Sequence, residues 1–167
     1  MKPIAIVACA STRLHADVML IRLRRAGIAC RKISALFPRR SIPNAVACWL
    51  RVNEQLTRHF GEGSIVPAGG LRSRFTHAPD AEEMVSLLST LGIDHVSASA
   101  LEEKLEQGHI LLAVSASNHD EASVACQVFN QASADLIVTS GFNAKTKSGP
   151  TLIEAAAAVP AWSAAAA

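Results

Sequence analysis

The chain has 167 residues, a length that suits one domain, and half of them are apolar, which argues against global disorder and leaves material for a substantial core. Aromatic residues make up only 4% and tyrosine is absent, so the core must be aliphatic, built from Leu, Ile, Val and Ala. The net charge of +2 hides an uneven distribution: residues 1–77 carry 13 Lys or Arg against three Asp or Glu, while residues 78–167 carry three against 11.

At the amino terminus, Lys2 followed by Ile4-Ala5-Ile6-Val7-Ala8-Cys9 has the outline of a lipoprotein cleavage box. The apolar run of about six residues falls short of the roughly 7 to 15 of a secretory segment. Residues 4–10 are therefore read as a buried first strand. Ser11 is the expected N-cap of a helix ending near Gly27, with Ala16, Met19, Leu20 and Leu23 on its inner face. A second strand is predicted over 29–37 and closed by Pro38, completing a first β-α-β unit.

Ser41-Ile42-Pro43 is expected to open a helix in which Ala45, Trp49, Val52, Leu56 and Phe60 share a face. The glycines and proline between Gly61 and Gly70 then predict a loop over 61–79. Asp80 and Glu83 have capping-box spacing before a helix carrying Met84, Leu87, Leu88 and Leu91, which Gly92 ends. A helix over about 95–107 places Ala98, Leu101 and Leu105 on one side, and residues 110–114 follow as a strand. Asn118 and Glu121 repeat the capping-box spacing before a helix burying Ala122, Ala125, Val128, Phe129 and Ala132, and residues 136–138 form the returning strand. The sum is an α/β chain of the α+β sandwich kind. It is expected to be a ferredoxin-like arrangement of two β-α-β units, one sheet with helices packed on a face, plus extra helices between the units. Residues 1–141 are assigned to this domain, with 38–79 as an irregular insertion and 142–167 as an alanine-rich tail, either a short helix or flexible.

No catalytic or metal-binding motif emerges. Cys9, Cys30, Cys48 and Cys126 are scattered, without C-x-x-C, as small apolar residues are in a reducing compartment. The six histidines form no H-x-x-x-H pair, and neither G-x-x-x-x-G-K nor G-x-S-x-G occurs. No cofactor is implied. Arg24, Arg25, Arg31, Lys32, Arg39 and Arg40 are the candidate anion-binding residues, within a basic stretch over 22–40 suited to nucleic acid, phosphate or another anionic partner. The competing reading has the basic and acidic halves facing one another and neutralising within the chain or between subunits. Trp49, Val52, Leu56 and Phe60 are candidates for either core packing or a partner contact, the latter in a homo-oligomer. No stretch reaches the roughly 18 apolar residues of a membrane span, so the default expectation is a cytoplasmic protein.

The stretch from Gly92-Ile93-Asp94 through Glu102-Glu103 to Gly108-His109-Ile110-Leu111-Leu112 resembles the bacterial general stress protein, or heat-induced stress protein, domain family. Gly92, Ile93, Ala98, Glu102, Glu103, Leu105 and Gly108 follow that family's order without a gap. Leu23 through Ile33 is similar to its opening unit and Thr139-Ser140-Gly141 to its close, so the resemblance spans about 4–37 and 84–141. Two features depart from it: Ala100-Leu101 stands where an aromatic pair is usual, and a polar, arginine-containing region replaces a glycine-rich apolar segment. The resemblance implies a non-enzymatic, stress-linked protein and carries over no catalytic residue. The leading expectation is therefore a non-catalytic, stress-associated, oligomeric module. Its alternatives are anion recognition by the basic half, or a small-ligand sensor or small enzyme at the sheet edge.

Overall fold

The computed structural model describes residues 3–41, 50, 58–60, 63–73 and 84–140. Strand β1 (Ile4–Ala10) sends Ile6, Ala8 and Ala10 to one face of the sheet and Val7 and Cys9 to the other, all buried. Burial on both faces is the physical reason its apolar run is unbroken rather than alternating. Helix α1 (Arg13–Arg25) is capped by Thr12, whose hydroxyl accepts from the His15 N–H at 3.1 Å, rather than by Ser11. It buries Ala16, Met19, Leu20 and Leu23, and Gly27 turns the chain with a φ of +89°. A single 3-10 turn (Cys30–Lys32) takes up the start of the expected second strand, so β2 runs Ile33–Pro38, and a second such turn (Arg39–Ser41) follows.

The middle of the chain departs most from expectation. Phe60 lies in a strand, β3 (Arg58–Phe60), and the expected loop contains a further strand, β4 (Gly63–Gly69). Trp49, Val52 and Leu56 lie outside the described residues. A four-residue spacing such as Leu56 to Phe60 fits one face of a helix and one face of a strand equally, and pairing with β4 settles it for Phe60. Pro67 is tolerated in β4 because β3 reaches only to Ile65, beyond which β2 is the one partner among the described residues. Gly69 has a φ of +73°, and a Cβ there would meet the Ile33 carbonyl oxygen at 2.3 Å, so the β2–β4 approach requires glycine.

Helix α2 (Met84–Ser89) buries Met84, Val85, Leu87 and Leu88. Helix α3 (His95–Glu106) is capped by Asp94, which accepts from the Ser97 N–H at 3.0 Å, and buries Ala98, Leu101 and Leu105. Strand β5 (Ile110–Ala116) extends two residues beyond expectation. Helix α4 (His119–Gln131) is capped by Asn118 through the Glu121 N–H at 2.8 Å, and β6 (Ile137–Thr139) closes the sheet.

The fold is of the α+β class. One six-stranded sheet has the order β3-β4-β2-β5-β1-β6, every neighbouring pair antiparallel. Strands β1 and β2 both run against β5, which lies between them, and β5 and β6 both run against β1. The two β-α-β units are thus split and interleaved, each inserting a strand into the other. Helices α1 and α4 cover one face over Ile6, Ile33, Phe37 and Leu112. The extra helices expected between the two units, α2 and α3, cover the other face, over Val7, Leu36 and Leu111. Two α1 side chains fasten it to the end of α4, where helix carbonyls lack partners. His15 Nε2–H donates to the Ala132 carbonyl at 2.6 Å and the Arg22 guanidinium to that of Gln131 at 2.7 Å. No helix among the described residues is long and apolar enough to cross a membrane.

Candidate functional site

On the face covered by α2 and α3, strand positions that elsewhere carry Val7, Leu36 and Leu111 become small toward one end. Ala5 of β1 stands opposite Ser115 of β5, and Ala113 of β5 stands between Val7 and Ser34 of β2. The helical layer does not fill the space these side chains leave. A cavity of about 410 Å³ results, floored by Ala5, Ser34, Ala113 and Ser115 and walled by Leu71 and by the α2 end, Ser89 through Gly92. Ser34 is buried and its Oγ accepts from the Leu71 N–H at 3.2 Å. The Ser89 hydroxyl donates to the Val85 carbonyl at 2.8 Å and that of Thr90 to the Leu87 carbonyl at 2.7 Å. Their protons are thereby committed to the helix, while the Ser89 oxygen keeps lone pairs as an acceptor. Among the described residues that line it none is ionisable.

The rim is held by Ser140, which lies in the segment similar to the close of the family. Ser140 Oγ accepts from the Ala5 N–H at 2.7 Å, and the Ser140 N–H donates to the Ala5 carbonyl at 2.7 Å. Gly92, with a φ of +84°, brings its backbone against Ser140, since a Cβ there would lie 3.3 Å from the serine Cβ. The residues carrying the family resemblance thus do structural work. Gly92 and Gly108 have left-handed φ at helix ends, while Ile93, Ala98 and Leu105 are buried.

A second cluster brings Cys9, His109 and Asp135 to one end of the sheet. His109 Nε2 lies 3.2 Å from the Asp135 carboxylate and Nδ1 lies 3.1 Å from the Lys104 carbonyl. Both ring nitrogens are therefore turned to partners other than sulfur. Cys9 is fully buried, and burial, with a smaller contribution from Asp135 opposed by Lys104, pushes its thiol up to about 12. A thiol so protonated is a packing group rather than a nucleophile. Among the described residues no group of three His, Cys, Asp or Glu is placed to hold a metal ion.

The six basic candidates do not converge. Arg24, Arg25, Arg31 and Lys32 lie before β2 and Arg39 and Arg40 after it, with about 20 Å of extended chain between. The Arg13 guanidinium, at the start of α1, donates to the Arg40 carbonyl and joins that far end. Lys32 is engaged by both Glu121 oxygens at 2.7 Å and by Ser117 Oγ at 3.0 Å. The Lys32 ammonium, then the Ser117 N–H, holds the Glu121 carboxyl below the usual carboxylate range. This ion pair joins the basic half of the chain to the acidic half. No known protein family, curated protein or solved structure matches this chain.

Proposed function

We propose that this chain is a non-catalytic α+β binding module whose cavity between the sheet and the end of α2 takes a small uncharged molecule with hydroxyl or amide donors. The observation that carries this reading is the 410 Å³ space floored by Ala5, Ser34, Ala113 and Ser115, whose described lining combines apolar walls with serine and threonine oxygens and carries no charge. A volume of this size falls in the range of small-molecule sites, about 300–1,000 Å³. An uncharged lining favours a neutral guest, because an ion placed there would lose hydration without a countercharge. Anion recognition by the basic half has weaker support, since its residues sit at two ends of β2 and Lys32 is already paired. A part in stress physiology rests on the family resemblance alone.

The test is a two-dimensional amide NMR titration with glycerol, acetamide and glucose, on the wild type and on Ala113→Leu. The reading expects shifts clustered at Ala5, Ser34, Ala113 and Ser115 that disappear in the variant. Shifts scattered over the surface, or unchanged in the variant, would reject it.

A further inference from the structure

Among the described residues two large apolar side chains remain exposed, Leu14 at 74% and Val96 at 79%. Each lies in the first turn of a helix, Leu14 in α1 and Val96 in α3, and these helices cover opposite faces of the sheet. From Leu14 the outward row of α1 continues through half-buried Val18 and Ile21 to exposed Arg25, at helical spacing i, i+4, i+7 and i+11. Exposed Arg22 and Arg24 flank its end. From Val96 the outward row of α3 continues through half-buried Ala100 to exposed Glu103, with exposed Glu106 beyond. Along these rows both helices present an apolar first half and a charged second half, basic on α1 and net acidic on α3, where exposed Glu103 and Glu106 outnumber half-buried Lys104.

We infer that α1 of one copy of this chain docks side by side and in the same direction on α3 of another. In that alignment Leu14 and Val18 meet Val96 and Ala100, and Arg25, whose neighbour Arg22 is held by the Gln131 carbonyl, reaches Glu103 and Glu106. The opposite direction would set Arg25 on Val96 and Glu106 on Leu14, leaving charges against apolar groups. Charge complementarity selects a second copy as the occupant, since one chain carries both surfaces. The contact is heterologous: each copy offers α1 on one side and α3 on the other, so association propagates into an open stack or a ring rather than stopping at a symmetric dimer. This inference is independent of the cavity and survives its failure.

The experiment is sedimentation velocity on the full chain and on two single variants, Leu14→Glu and Val96→Glu, across a wide concentration range at low salt. The wild type is expected to grow beyond a dimer with concentration. Salt of about 1 M, which shortens the Debye length to about 3 Å, should weaken this growth. Each variant should associate at least about ten-fold more weakly, because its new carboxylate meets an apolar row beside like or unmatched charge. Both positions are exposed, so circular dichroism should show the fold unchanged. The decisive sample is an equimolar mixture: one intact α1 and one intact α3 remain, so a dimer forms and growth stops there. A monomeric wild type, a Val96→Glu chain that associates like wild type, or a mixture that stays monomeric would each overturn the inference.

Discussion

Replacing Ala113 by Val asks whether the space above β5 is usable room. The Ala113 side chain lies on the cavity floor in the row between Val7 and Ser34. Two added methyl-sized groups, each worth about 0.8 kcal/mol when buried, set an upper bound of about 1.6 kcal/mol. Burial already present in a compact unfolded chain trims this to about 1–1.4 kcal/mol. Valine also suits extended backbone better than alanine. The melting temperature should therefore rise by about 2–5 °C, the shift expected for about 1 kcal/mol in a chain of this size. In a close-packed layer the same change would cost about 1–3 kcal/mol through displaced neighbours. The sign is thus the measurement, read by urea unfolding followed with circular dichroism and checked by a thermal scan. A variant less stable than wild type by about 1 kcal/mol or more would refute the cavity, and the proposed binding function with it.

Two further outcomes follow from local geometry. Gly69→Ala should lose at least about 2 kcal/mol in urea unfolding, because a left-handed residue costs about 1–2 kcal/mol and its Cβ also strikes backbone. Gly27→Ala is the control: its φ is +89° but nothing lies within 4 Å of the added carbon, so it should lose only the conformational part. Glu121→Gln should cost about 1 kcal/mol at neutral pH by removing the half-buried ion pair with Lys32. Glu121 has its folded-state pKa lowered, so the pair's contribution is complete above the ordinary glutamate value of about 4.3 and is lost as pH falls through the depressed one. The gap between variant and wild type should close in strong acid. A gap persisting there would assign the effect to packing instead.

Much of the fold is legible in local pattern. The inner faces of α1, α3 and α4, the Asn118 cap and the β1 and β5 runs follow from spacing, since a helix or strand buries residues at its own period. Errors fell where two local readings are degenerate. Ser11 and Thr12 are both capping residues, and the Thr12 hydroxyl is the one that accepts from the His15 N–H. Phe60 fits helix or strand, and its partner across β4 decides. Gly63, Pro67 and Gly69 read as breakers, yet they occupy a strand, with Pro67 past the reach of β3 and Gly69 where the backbones come closest.

The candidate site was not legible, because it belongs to no segment. Its floor is made of small residues from three strands, and Ala5, Ser34 and Ala113 become neighbours only through the register of β1, β5 and β2. The same holds for charge. By itself the sequence determined that the first half is basic, the second acidic, and the core aliphatic. Tertiary structure alone decided that Lys32 meets Glu121 across 89 residues, and that Arg39 and Arg40 lie a strand's length away from Lys32. Periodicity and capping act over a few residues and can be read along the chain, whereas a pocket or an ion pair depends on which strands lie side by side.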